Sequence, residues 1–161
     1  MSAGRPINFG VFVPQGWRMD LVEIPDPVEK YETMTRVAQA ADRAGYDSIW
    51  VFDHFHTVPT PELETTFECW TITATLARDT ERVRIGQMVG CNGYRHPALY
   101  AKIASTVDVA SRGRLYAGLG AGWYEHEWRA YGFGGAGTEG TEHTPPGGVC
   151  SFPSVPAPPN P

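Results

Sequence analysis

No run of roughly 18 apolar residues occurs in this 161-residue chain, so a membrane-spanning helix is not expected. Only three cysteines are present, Cys69, Cys91 and Cys150, and no two form a Cys-x-x-Cys pair. That scarcity argues against a disulfide framework or a zinc ribbon and leaves each thiol as a small buried apolar group. Positive charge is not in excess either: 13 Lys and Arg face 18 Asp and Glu, for a net charge of −5. With the two signs interspersed, no basic face offers itself to a phosphate backbone, and a nucleic-acid partner is not expected. Residues 1–6 lack the apolar core of a secretory signal, which together with the unpaired cysteines places the expectation in a reducing cytoplasm. What remains is an ordinary globular composition, 42% hydrophobic and 19% charged. It suffices for one domain but falls short of the about 250 residues of a complete eightfold β/α barrel.

Four apolar runs, Ile7–Pro14, Ser48–His54, Val83–Cys91 and Arg114–Gly122, each end in a polar or glycine-rich tip. A helix-length amphipathic stretch follows the first three, and Trp123–Tyr131 opens a fourth. Buried strands alternating with such helices predict a parallel α/β sheet. In these sheets chemistry gathers at the carboxyl ends of the strands, here Asp53, His54, Gln87, Asn92 and Gly120–Trp123. Asp26 reads as a helix N-cap, with Pro27 at the first helical position, Glu29 placed to close a capping box, and Gly45 as the stop. Thr65 and Glu68 repeat the capping pattern before a second helix, and Pro97 opens a third. The long Gln15–Pro25 loop after the first strand is either a substrate-facing wall or a surface insertion. Residues 134–161 hold six Gly and seven Pro, a composition that predicts a disordered tail behind a 1–133 domain.

Gly118-Leu119-Gly120-Ala121-Gly122 lacks the final glycine of a dinucleotide fingerprint, because Trp123 stands at that position, and it closes the fourth strand rather than the first. Its glycines allow close backbone approach to a flat ring or a phosphate, or simply a tight strand-to-helix turn. Asp53 and His54 together can hydrogen-bond a heterocycle and move a proton near neutral pH. His56 has no third ligand at suitable spacing, so a metal site is not expected. Arg95 suits a phosphate, an acid across the sheet end, or a local carboxylate. Trp123, Tyr124, His126, Trp128 and Tyr131 form an aromatic cluster that either packs internally or walls a ring.

The order and spacing of INFGVFVP (Ile7–Pro14), AGYDSIWVFDH (Ala44–His54), VRIGQMV (Val83–Val89), YRHPALYAK (Tyr94–Lys102), TVDVASRGR (Thr106–Arg114) and GLGAGWYEHEWRAYG (Gly118–Gly132) resemble the luciferase-like monooxygenase superfamily, particularly its deazaflavin-dependent branch. The resemblance implies a (β/α)8 TIM barrel, of which this chain carries about four βα units, a half barrel. It implies an oxidoreductase or monooxygenase acting on a small-molecule substrate, with FMN or the deazaflavin coenzyme (factor 420) lying across the strand tips. By resemblance, Asp53 contacts the ring edge, His54 matches a catalytic base, and Ala121 and Gly122 lie beside the cofactor. A bulge with a non-proline cis peptide is expected at Gln87–Met88–Val89. One branch carries a proton-donating glutamate where Trp123 stands, which puts that branch's reaction in doubt. An open half barrel is expected to turn over weakly or not at all and to self-associate, for example as a homodimer. The alternative is a non-enzymatic remnant or partner-binding module, and a small flavodoxin-like domain is a third option that lacks its fifth strand.

Overall fold

Residues 7–133 are described by the computed structural model, so the tail expected over 134–161 lies outside the described residues, as does Cys150. The element order is β1 (Gly10–Phe12), α1 (Pro27–Ala44), β2 (Ser48–Val51), α2 (Cys69–Asp79), β3 (Arg84–Gln87), β4 (Gly90–Cys91), α3 (Pro97–Ala110), β5 (Leu115–Tyr116), β6 (Leu119–Gly120) and α4 (Glu125–Tyr131). Four strands form one parallel sheet in the order β1-β2-β3-β5, and β4 pairs with β6 in a second, two-stranded parallel sheet. The register sets Ile49 against both Val11 and Ile85, and Ile85 against Leu115.

Two of the expected strands are each broken in two. Val83–Cys91 divides at a cis Met88–Val89 peptide into β3 and β4, and Arg114–Gly122 divides into β5 and β6. The cis bond falls where the resemblance placed it.

Helix signals were local and mostly realised. The Asp26 side chain accepts from the Val28 and Glu29 N–H groups, and Gly45 closes α1 at φ 89°. The reciprocal half of the expected capping box is absent, since the Glu29 carboxylate pairs with Arg36 instead. At α2 the cap is Glu68 itself, not Thr65: its carboxylate accepts from the Trp70 and Thr71 N–H groups. His96 caps α3, and Pro97 takes the first helical position.

The core lies between the sheet and the helices. Ile49, Val51, Val83 and Ile85 meet Met34 and Ala38 of α1, Ile72 and Leu76 of α2, and Tyr100 and Val107 of α3. The opposite, inner face carries Phe12, Trp50, Arg84 and Tyr116. Trp50 and Tyr116 stack with centroids 5.6 Å apart, and the Arg84 guanidinium lies 5.0 Å over the Tyr116 ring. Gly86, in register with Trp50, is needed there, because a Cβ would sit 2.7 Å from the indole.

Candidate active site at the strand tips

The carboxyl ends of the strands converge. Cys91 of β4 donates its N–H to the Asp53 carboxylate just beyond β2 (2.7 Å) and pairs in register with Gly120 of β6. His54 in turn lies edge-on to Trp123, with ring centroids 5.7 Å apart. The Asp-His pair and the Gly-Ala-Gly-Trp turn therefore share one side of the molecule.

His54 is held on two further sides. Its imidazole stacks in parallel on Trp17, 4.3 Å between centroids, and Nδ1 is 2.9 Å from Glu127 Oε2. Trp17 comes from the Gln15–Pro25 loop, which is folded in and not a loose insertion. Gln15 is buried, donating to the Phe52 and Phe67 carbonyls and accepting from the Phe52 N–H, each at 2.7 Å.

Glu127, on α4, is completely buried and gathers four donors. The Phe55 and His56 N–H groups donate to Oε1, and the Tyr94 hydroxyl and His54 approach Oε2. Burial works to raise its pKa, but the hydrogen bonds from His54, Tyr94 and His56 outweigh it and leave it below the usual glutamate value. Burial, joined by the same carboxylate, pushes the Tyr94 phenol well up.

Asp53 occupies a different setting from the one expected. Its side chain has no exposed surface, and Arg95 grips it with both nitrogens, at 2.5 and 3.0 Å. Arg95 also reaches Glu68, the cap of α2, at 2.5 Å. Burial pushes the Asp53 carboxyl up, against the pull of Arg95 and the Cys91 N–H. Burial opposes the Arg95 charge, yet Asp53 and Glu68 prevail and raise its pKa. Asp53 thus ties β2, β4, α2 and α3 together beneath the tips, and it presents no surface on which a ring edge could rest. Arg95 is the anchor between carboxylates.

Gln87 is a second correction. Strand alternation sends its side chain with Ile85 to the helix-covered face, where it is fully buried and donates to Thr73 Oγ1 at 3.1 Å. Its side chain lies on the face away from the tips. Met88 and Val89, past the end of β3, are exposed at 46% and 44%, large apolar groups uncovered at the end of a parallel sheet. Asn92 starts a single 3₁₀ turn, Asn92–Tyr94, half-buried. Ala121 is exposed, Gly122 sits at φ 79° above Cys91, and Trp123 is 63% exposed and stacked on Tyr124. The glycines of this turn serve the fold first: a Cβ on Gly118 would lie 2.3 Å from the Gln87 carbonyl oxygen. Cys69 and Cys91 are buried with raised pKa values, mainly through burial, so neither is an activated nucleophile.

Sequence reasoning missed Trp17, Gln15 and Glu127. Glu127 left one trace, its helical spacing from Tyr124 and Tyr131, which sets an acid on an aromatic face.

The luciferase-like monooxygenase family model matches residues 7–143. The flavin-dependent trigonelline monooxygenase oxygenase component of Acinetobacter baylyi is 33% identical over 102 residues, 61% of this chain and 26% of that protein. The F420-dependent hydroxymycolic acid dehydrogenase of Mycobacterium tuberculosis is 34% identical over 86 residues, 53% of this chain and 24% of that protein. Among solved structures, the oxygenating constituent of 3,6-diketocamphane monooxygenase from Pseudomonas putida, in complex with FMN, superposes with a TM-score of 0.64 at 20% identity. That match covers 83% of this chain and 35% of the other. An F420-dependent secondary alcohol dehydrogenase in complex with an F420-acetone adduct gives a TM-score of 0.63 at 22% identity, covering 81% and 36%. The fold is that of part of the luciferase-like TIM barrel, and the chain spans about a quarter of the length of these curated relatives.

Proposed function

The chain belongs to the luciferase-like monooxygenase family, and from that premise we propose that its strand tips form part of the site of a flavin- or deazaflavin-dependent oxidoreductase. The observation that carries the reading is the arrangement of His54, fixed between Trp17 and Glu127, beside the exposed apolar tips Met88, Val89 and Trp123. These residues fit a flat heteroaromatic ring. Its faces need apolar and aromatic surface, and Met88, Val89 and Trp123 leave such surface uncovered. When bound, such a ring supplies the redox chemistry. The chain's own residues position and protonate: Met88 and Val89 back the ring, Ala121 and Gly122 border it, and Trp123 walls it. Asn92 lies at the rim. His54 offers a ring nitrogen that can hold or move a proton. Asp53 acts at one remove, keeping β4 in place through the Cys91 N–H.

Because the relatives are several times longer than the matched segment, we further propose that this chain alone binds cofactor weakly and turns over little or not at all. Fluorescence titration with FMN and with the deazaflavin coenzyme tests both statements. The expected result is saturable quenching that is lost on gel filtration and is reduced at least tenfold in affinity by Val89→Asp. Absence of saturable binding by either coenzyme overturns the cofactor assignment. Stoichiometric retention through the column overturns the weakened site.

A further inference from the structure

We propose that Glu127 is the positioning residue that fixes His54 with its Nδ1 protonated and its Nε2 available as a proton acceptor, an inference resting on the strand-tip reading above. An ionised carboxylate accepts at about four lone-pair sites and carries no hydrogen of its own. Four donors surround Glu127: the Phe55 N–H at 2.7 Å and the His56 N–H at 2.9 Å on Oε1, the Tyr94 hydroxyl at 2.5 Å and His54 Nδ1 at 2.9 Å on Oε2. The two backbone amides cannot reverse their direction. Tyr94, its pKa pushed up, keeps its proton and donates. Nδ1 must then carry a hydrogen as well, and a neutral imidazole has only one to place. Nε2 is left with a lone pair, and it makes no hydrogen bond among the described residues. The parallel stack on Trp17 holds the ring plane. A hydroxyl presented at the tips would give its proton to Nε2 acting as general base: the O–H bond breaks with its electron pair left on the oxygen, the Nε2–H bond forms, and the Glu127 charge balances the imidazolium. Glu127 itself takes up no proton.

Glu127→Gln is nearly isosteric and makes the test. The glutamine carbonyl would keep the two backbone N–H bonds, which turns its NH₂ towards His54. Nδ1 must then accept, and the hydrogen moves to Nε2. Long-range ¹H–¹⁵N correlation spectra of the full chain in alkaline buffer, where imidazoles are neutral, read the tautomer directly. The His54 signals are identified by their loss in His54→Gln. The expected result is the Nδ1–H form in the wild type and the Nε2–H form in Glu127→Gln. A wild-type ring in the Nε2–H form overturns the proposal, as does an unchanged tautomer in folded Glu127→Gln. Should that variant not fold, the wild-type tautomer alone decides. Since these spectra require no coenzyme, failure of FMN or deazaflavin to bind would sink the functional reading and leave this result standing.

Discussion

The two faces of the parallel sheet differ although they are built from alternate residues of the same strands. On the helix-covered face Ile49, Val51 and Ile85 are fully buried against α1, α2 and α3. On the inner face Phe12 and Tyr116 are 45% and 40% exposed, Phe12 stacking on Phe52 and Tyr116 on Trp50. The covered face supplies the folding energy, and the inner face and the tips are left for other surfaces to meet. The polar groups follow the same division. Asp53 and Arg95 are enclosed and structural, whereas His54 keeps one nitrogen free at the tips.

Arg95→Met should produce the largest effect. It would strand the enclosed Asp53 carboxylate and cost about 3–5 kcal/mol in urea unfolding, with part of that recovered in Asp53→Asn/Arg95→Met. A loss below about 1 kcal/mol would show that Asp53 reaches water and so is available to a ligand. Leu76→Ala, on the covered side, should cost about 2–5 kcal/mol through the cavity it leaves. Phe12→Ser, on the inner face, should cost about 1 kcal/mol or less. If Phe12→Ser proved as damaging as Leu76→Ala, the inner face would be covered in solution, and sedimentation analysis would then show self-association.

The acid limb of stability sharpens the contrast between Glu127 and the exposed carboxylates. Its folded-state pKa lies below the unfolded value, so its contribution is complete above about pH 5 and is lost as pH falls through the folded value. Glu127→Gln should therefore flatten the loss of stability as pH falls below about 5, as followed by urea unfolding at each pH. An unchanged slope would mean that Glu127 titrates as it does in the unfolded chain. Met88→Asp should move stability least, within about 0.5 kcal/mol, because the side chain is half in water. Under the proposed function its effect falls on coenzyme affinity, read by the fluorescence titration.

The parallel alternation, the caps at Asp26 and Gly45 and the helix start at Pro97 were legible because they depend on residues a few positions apart. The break in the third strand was legible only through the family resemblance, and the division of the fourth was not legible, because Arg114–Gly122 reads as one continuous run. Asp53 and Gln87 stood at strand ends, but which way each side chain faces is decided by partners far along the chain, Arg95 and Thr73. Glu127 contacts His54 across 73 positions, a distance no local pattern bridges.

The most direct test is a map of backbone amide shifts of the ¹⁵N-labelled chain during addition of FMN or the deazaflavin coenzyme. The expected result is a saturable set of changes confined to His54, Met88–Val89 and Gly120–Trp123. Changes centred instead on the open groove that Trp70 and Ala74 of α2 and Ile103 and Val107 of α3 line, or no changes with either coenzyme, would contradict a redox-ring site at the strand tips.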